Sequence, residues 1–478
     1  MICPPFSPQP WQVLPFNSPE GFVGKIFVKL ASHWSLRELA APQTLRASQF
    51  IIPSTDPSPF GELSVDVFFP VGGPYLLEFY NSSNERIHHI EPLYVGELWL
   101  MAGQSNMQGM GLLEDAPSSS PMVLQYGLQE QWQLAAEPVN FQPEAVDATY
   151  QPRDPLAPNY RWPKGHPLCL RGTGPGLAFA KERYALTGLP IGLIPCAKGG
   201  SRLSDWIPNT NNSDEGQLYN AAQKRILQVG GTLHGVLWSQ GCSEAIEKNV
   251  DRYGERLQHL IDLFRTSLNN PSCPWVIAQT LGKSTFGPWD DDPHIWGKLR
   301  AEQAQCQLQK SRVIVCSSLG LDCDDIIHLS GKSQIAMGQR LALGAQEITK
   351  PQPSTSPCLE RVELTTGLYP NEPSKASLIF KVNQAVGPLR CTEARPRGLV
   401  AIDSDGVPRA LFFKIELRQQ TIVAHTGLTP SELEGYRVAY GWGMLPDGNI
   451  EDSRGLGLLA SSWFPLEDQR LSSGNGHS

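Results

Sequence analysis

Nowhere in its 478 residues does the sequence hold about 18 uninterrupted apolar residues, the length a helix needs to cross a bilayer. A membrane span is therefore not expected. The segment Met1–Pro10 lacks Lys and Arg and has no apolar core of secretory-signal length. Long blocks of like charge are missing, as is any basic patch interleaved with aromatics. The net charge of −8 thus carries no nucleic-acid footprint. The ten cysteines stand singly, without Cys-x-x-Cys pairs or a Cys/His spacing suited to zinc. Free buried thiols in a reducing compartment follow, and a cytoplasmic protein is the expectation. No internal repeat is present.

Composition is otherwise that of a globular chain, 40% hydrophobic and 18% charged, and the length suits roughly 2 to 4 domains. The 44 Gly and 41 Pro point to many turns and a β-rich portion. Residues 1–95 hold short β-type runs broken by Pro, Gly, Asn and Ser. In one of them Leu63, Val65, Val67 and Phe69 alternate onto one face. From 96 to 350, apolar strand candidates (98–102, 189–197, 234–240, 274–282, 312–319) alternate with helical segments (176–186, 217–229, 247–268). In the last helix Val250, Tyr253, Leu257, Leu260, Ile261 and Phe264 recur at helical spacing. Ser330 suits the cap of a final helix. This alternation predicts an α/β domain with a parallel sheet covered on both faces and functional residues at the carboxyl ends of strands. Residues 350–357, rich in Pro and Ser, read as a linker. From 351 to 478 β-type runs return. A three-part organisation is expected: β-rich, sandwich-like ends at 1–95 and 351–478 around an α/β domain at 96–350.

The chemistry concentrates at a few strand ends. Leu98–Ala102 runs into Gly103-Gln104-Ser105-Asn106-Met107, a strand followed by a glycine turn that would present the Ser105 hydroxyl. A serine that only caps the following helix is the plainer alternative. Asp325-Ile326-Ile327-His328 sets a carboxylate three residues before an imidazole, so both side chains can converge, the carboxylate fixing the imidazole tautomer. Alone, such a pair is common on surfaces; with Ser105 it completes a nucleophile, base and orienting acid. Asp322 and Asp324 read as loop carboxylates. Ala197-Lys198-Gly199-Gly200-Ser201 follows the strand at 189–197, and its glycines suit a tight turn offering a backbone N–H to an oxyanion. A plain strand-to-helix turn is the alternative. Trp238-Ser239-Gln240-Gly241 ends another strand, and the Gln240 amide is a second donor or else a structural polar group. Trp162, Trp206, Trp289 and Trp296 are candidates for sugar stacking as well as for packing.

The succession Gly-Gln-Ser-Asn-Met, Gly-Gly-Ser, Trp-x-Gln-Gly and Asp-x-x-His resembles the SGNH hydrolases, and within them the sialate O-acetylesterase-like carbohydrate esterases. Val95-Gly96-Glu97-Leu98-Trp99, Gly174–Ala180, Leu299-Arg300-Ala301-Glu302-Gln303 and the segments at Tyr440–Trp442 and Gly455–Ser462 agree with it. The resemblance covers about 60–465. It implies a flavodoxin-like three-layer α/β/α domain that deacetylates an acetylated sugar or oligosaccharide through an acyl-enzyme. Ser105, His328 and Asp325 would form the triad. The N–H groups of Ser105 and Gly200 and the Gln240 side chain would form the oxyanion hole, with no metal or organic cofactor. One departure stands out: such proteins usually continue Gln-Gly-Glu, whereas this chain has Gln240-Gly241-Cys242. Three other readings remain open: a non-catalytic carbohydrate-binding protein on an esterase scaffold, an esterase for a different acyl group, and a Cys242 thiol nucleophile served by His234 or His328.

Overall fold

The structure, a computed structural model, describes residues 8–18, 20–28, 31, 33–39, 45–50, 63–152, 169–284 and 292–466. The chain divides into two compact units. The first comprises Met1–Gln240, Leu260–Trp275 and Ser330–Ala342; the second comprises Gly241–His259, Val276–Leu329 and Leu343–Ser478.

The first unit opens with β1 (Val13–Pro15), β2 (Gly21–Val28), β3 (His33–Glu38), β4 (Leu45–Phe50), β5 (Leu63–Pro70), β6 (Gly72–Tyr80) and β7 (Arg86–Gly103). β2 pairs antiparallel with β5, and β4, β3, β6 and β7 pair antiparallel in that order. The expected alternation holds where side chains are described. Val67 and Phe69 are buried, while Phe68 between them is 38% exposed. Phe22, Ile26, Val67 and Phe69 share one apolar cluster with Trp34, Leu36, Leu77, Ile90 and Leu93.

β7 does two jobs. Up to Val95 its partner is β6, and beyond Gly96 it becomes the centre of a parallel sheet. Helix α1 (Ser105–Gln108) follows it, then β8 (Gly111–Leu112), β9 (Val123–Tyr126), β10 (Trp132–Leu134), β11 (Arg171–Thr173), helix α2 (Pro175–Thr187), β12 (Ile191–Pro195), helix α3 (Gln217–Gln228) and β13 (Gly235–Ser239). The order is β10-β9-β12-β7-β13, with β9, β12, β7 and β13 parallel. Trp99, Leu100, Met101, Leu193, Ile194, Val236 and Leu237 have no exposed surface, as a sheet covered on both faces requires. Pro175 opens α2 and Gly188, in the left-handed region, closes it. Its Arg183 reaches back to Glu97 in a bidentate pair with both contacts at 2.8 Å, and the Trp99 indole N–H donates to the same carboxylate.

In the second unit, α4 (Cys242–Ile246) comes first. The helix expected over 247–268 is shorter: α5 spans Tyr253–Ser267, because Lys248 and Arg252 adopt positive φ and interrupt the helical path. Its apolar face, Tyr253, Leu257, Leu260, Ile261 and Phe264, is buried as expected, as is Val250 just before the helix. β14 (Trp275–Ala278), α6 (Pro293–Gln309), β15 (Val313–Cys316) and α7 (Gly331–Ile348) follow along the chain, with the stretches Leu260–Trp275 and Ser330–Ala342 of α5, β14 and α7 belonging to the first unit. Ser330 caps α7, its hydroxyl accepting from the Ser333 N–H at 3.1 Å. The strands expected at 189–197, 234–240, 274–282 and 312–319 are all trimmed at both ends, since the flanking residues leave the sheet for turns.

Beyond α7 the unit is β-rich. One antiparallel sheet joins Cys358–Thr366, Ala376–Asn383, Thr421–Thr426 and Phe412–Arg418; another holds Leu399–Ile402 and Arg437–Tyr440. Leu378, Phe380, Ile422, Val438, Tyr440 and Leu458 lie in one core. The linker expected at 350–357 is not loose. Ser356 is buried, its carbonyl accepts from Gln307, and Arg454 donates to the Ser354 hydroxyl and the Thr355 carbonyl. Among the described residues no helix is long and apolar enough to cross a membrane.

Candidate active site

In the first unit the parallel strands deliver three sequence-predicted segments to neighbouring carboxyl ends. β7 ends at Gly103, whose φ is +125° and where a Cβ would lie 2.1 Å from the Ser239 carbonyl oxygen, so only glycine fits. The next N–H, of Gln104, donates to that same carbonyl at 2.8 Å. Gln104, extended, is the N-cap of α1, which makes Ser105 the first helical residue rather than a cap. Ser105 is 9% exposed.

The turn after β12 lies against this helix. Lys198 N–H donates to the Gly103 carbonyl at 3.0 Å, and the Ser201 hydroxyl donates to the same oxygen at 3.1 Å. A Cβ on Gly199 would stand 3.8 Å from that of Ser105, so the turn passes directly beside the serine. Gly200 takes φ +67°, the left-handed value that glycine adopts without strain. Gln240, just past β13, is buried and donates through Nε2 to the Ser201 carbonyl at 3.3 Å. Ser105, Gly200 and Gln240 are thus gathered at adjoining strand ends.

Asp325 and His328 belong to the second unit, in the loop between β15 and α7. Asp325 Oδ1 accepts the backbone N–H of Ile327 at 2.9 Å and of His328 at 2.8 Å, and Oδ2 lies 2.8 Å from His328 Nδ1. Burial alone raises the Asp325 pKa, but the imidazole and the two backbone donors outweigh it and hold the carboxyl well below the usual carboxylate range. An ionised carboxylate has no proton to donate, so the bond places hydrogen on Nδ1. In the neutral imidazole the basic lone pair then resides on Nε2, the tautomer a general base requires.

Other expected residues have structural roles. Trp206 and Trp296 are fully buried, so they pack rather than offer a stacking face; Trp162 and Trp289 lie outside the described residues. Trp206 meets Trp238 edge-on at 5.3 Å and donates its indole N–H to Ser201 Oγ. His234 sits at the amino end of β13, the end opposite Gln240. Its Nδ1 accepts from the Leu98 N–H, and burial lowers its pKa to about 4 despite Glu97 nearby, so it is no base for a thiol beyond the other end. Cys242 is buried, and its neighbour in charge terms is Arg300, a fully buried guanidinium whose pKa burial lowers to about 9. Arg300 donates to the Leu281 and Gly443 carbonyls. Among the described residues no group of three His, Cys, Asp or Glu could hold a metal ion. Gln108, unremarked in the sequence, is the buried residue that links α1 to the glycine turn.

Comparison with known proteins decides the family. The model of the carbohydrate esterases described as sialic acid-specific acetylesterases matches residues 95–347, more than half of the chain. The chain belongs to this family. Its members are carbohydrate acetylesterases, hence carboxylic ester hydrolases, and the matched span contains Ser105, Gly200, Gln240, Asp325 and His328. The chain is 29% identical over 276 residues to the Probable carbohydrate esterase of Arabidopsis thaliana, covering 52% of this chain and 90% of that protein. It is 26% identical over 212 residues to the human sialate O-acetylesterase, covering 39% of this chain and 38% of that protein. Among solved structures, a carbohydrate acetylesterase from Xanthomonas citri matches with a TM-score of 0.62 and 18% identity, covering 95% of this chain and 97% of that one. The fold of this esterase is therefore shared across nearly its whole length.

Proposed function

We propose that the protein is a serine esterase that removes O-acetyl groups from carbohydrates, sialic acids among them, through an acyl-enzyme. Ser105 Oγ attacks the acetyl carbonyl while its proton passes to His328 Nε2, and Asp325 orients and stabilises the resulting imidazolium. The N–H groups of Ser105 and Gly200 and the Gln240 amide receive the oxyanion. His328 then returns the proton to the departing sugar hydroxyl. A water, deprotonated by the same imidazole, cleaves the acetyl-serine to acetate and free serine.

The observation that carries this reading is the lodging of Ser105 at the carboxyl end of β7 beside the Gly199–Gly200 turn. Family membership and the Asp325–His328 tautomer support it. We further read residues 96–350 as a flavodoxin-like three-layer catalytic domain, with sandwich-like domains at 1–95 and 351–478. The parallel order around β7 and the antiparallel sheets of both ends favour this division.

The test is acetate release from O-acetylated sialic acids, xylo-oligosaccharides and pectin fragments. The wild type should release acetate from at least one class, and Ser105→Ala and His328→Ala should fall to background while remaining folded. Binding of these sugars without acetate release would favour a carbohydrate-binding protein instead.

A further inference from the structure

Gln108 has no part in the chemistry just described, yet it is 3% exposed and sits three residues after Ser105 on the same short helix. Its Oε1 accepts two hydrogen bonds. One comes from the Gly199 N–H at 2.7 Å, the other from Gln142 Nε2 at 3.1 Å, and Gln142 is itself 3% exposed. The segment carrying Gln142 grips the same turn at other points: Asn140 Nδ2 donates to the Ala197 carbonyl at 2.8 Å, and Lys198 Nζ donates to the Thr149 and Gln151 carbonyls.

Two consequences follow from that geometry. The Gly199 N–H is committed to Gln108, so the oxyanion donor assigned to this turn is the next residue, Gly200. The turn also has little room to shift, because a Cβ on Gly199 would already lie 3.0 Å from Gln108 Oε1 and 3.8 Å from Ser105 Cβ. An oxyanion hole works only while its donors lie about 2.7–3.1 Å from the developing charge, so the spacing between α1 and the turn sets the rate.

We propose that Gln108 is a positioning residue for ester hydrolysis: one buried oxygen, shared between the Gly199 N–H and the Gln142 amide, holds the turn bearing Gly200 in register with the helix bearing Ser105. The inference rests on the assignment of Ser105 and Gly200 given above. Removing the acceptor deprives the Gly199 N–H and the buried Gln142 amide of this partner and lets the turn slacken, while the residues that touch substrate keep their chemical groups.

Steady-state kinetics on an acetyl ester test it, with Gln108→Met, Gln108→Glu and Ser105→Ala compared with the wild type. Methionine matches the length without the acceptor, and a misplacement near 1 Å lowers turnover by up to about 100-fold. Gln108→Met should therefore lose about 10–100-fold in kcat, with KM changed less than about threefold. Gln108→Glu, which keeps an acceptor oxygen, should recover part of the loss. Wild-type kcat in Gln108→Met, a loss confined to KM, or a glutamate variant no better than methionine would overturn the proposal. Should Gln108→Met fail to fold, Gln142→Ala removes the second partner of the same oxygen. A several-fold fall in kcat at constant KM is expected there, and an unchanged kcat overturns the proposal. Ser105→Ala separates the two levels. Its inactivity beside an unimpaired Gln108→Met refutes only the positioning role, whereas an active Ser105→Ala refutes the assignment beneath it.

Discussion

Ser105, Gln240 and His328 carry distinct burdens in the proposed reaction, and each predicts a different kinetic signature. Losing one oxyanion donor typically costs about 10²–10³-fold in turnover. Gln240→Ala should lose about that in kcat with a smaller change in KM, while Cys242→Ser, one residue past the turn, should be nearly neutral. Steady-state kinetics of both variants decide this, and a larger loss at Cys242 would revive a thiol mechanism. Asp325 is held well below the usual carboxylate range, so near neutral pH it is an ionised partner for the His328 imidazole. These residues were legible because their motifs are local. Gln108 was not, because its partner Gly199 is 91 positions away and a glutamine reads from sequence as a surface residue.

At the level of elements, the apolar runs announced the strands, but their lengths followed from what the strand ends must do. Cys196, Ala197 and Gln240 read as the last residues of their strands, yet they leave the sheet for the turns that follow β12 and β13. The length of β7 was hidden in the opposite way: Arg86–Glu91 is mostly polar and Pro92 follows, so little in that run suggests continuity with Leu98–Ala102. The Glu97–Arg183 pair was equally invisible, its partners lying on β7 and α2. Both side chains are nearly inaccessible, and removing one partner of such a pair costs about 3–5 kcal/mol. Arg183→Met should therefore lower stability by about that much in chemical denaturation, and Glu97→Leu combined with Arg183→Met should restore most of it. Burial raises the Glu97 pKa, but Arg183 more than offsets it and the net value is lowered. A lowered folded-state pKa contributes stability above the unfolded value and loses it as pH falls through the folded one. The deficit of Glu97→Gln should accordingly be largest near neutral pH and shrink in acid; a deficit that grows in acid would contradict the pairing.

On the scale of the whole molecule, the Pro- and Ser-rich stretch before residue 358 suggests a detachable C-terminal part, and the second unit argues otherwise. Gln279, just beyond β14, accepts the Ala460 N–H at 3.0 Å and donates to the Ala460 carbonyl, while Arg300 on α6 donates to the Gly443 carbonyl. Arg454 ties Asp452 to Glu347, the Thr355 carbonyl and the Gln384 carbonyl. A chain ending at residue 350 strips Gln279, Arg300 and Glu347 of these partners and uncovers Leu319, which packs in the same apolar core as Leu378 and Tyr440. It should be insoluble or melt far below the full chain, and a truncated form of wild-type stability would contradict this. At every scale, one serine, Ser105 at the end of β7, is proposed to perform the chemistry. Treatment with a fluorophosphonate followed by peptide mapping tests it most directly. A single phosphonyl adduct on Ser105 is expected, with loss of acetate release in proportion to labelling. An adduct on another residue, or full activity after Ser105 is labelled, would contradict it.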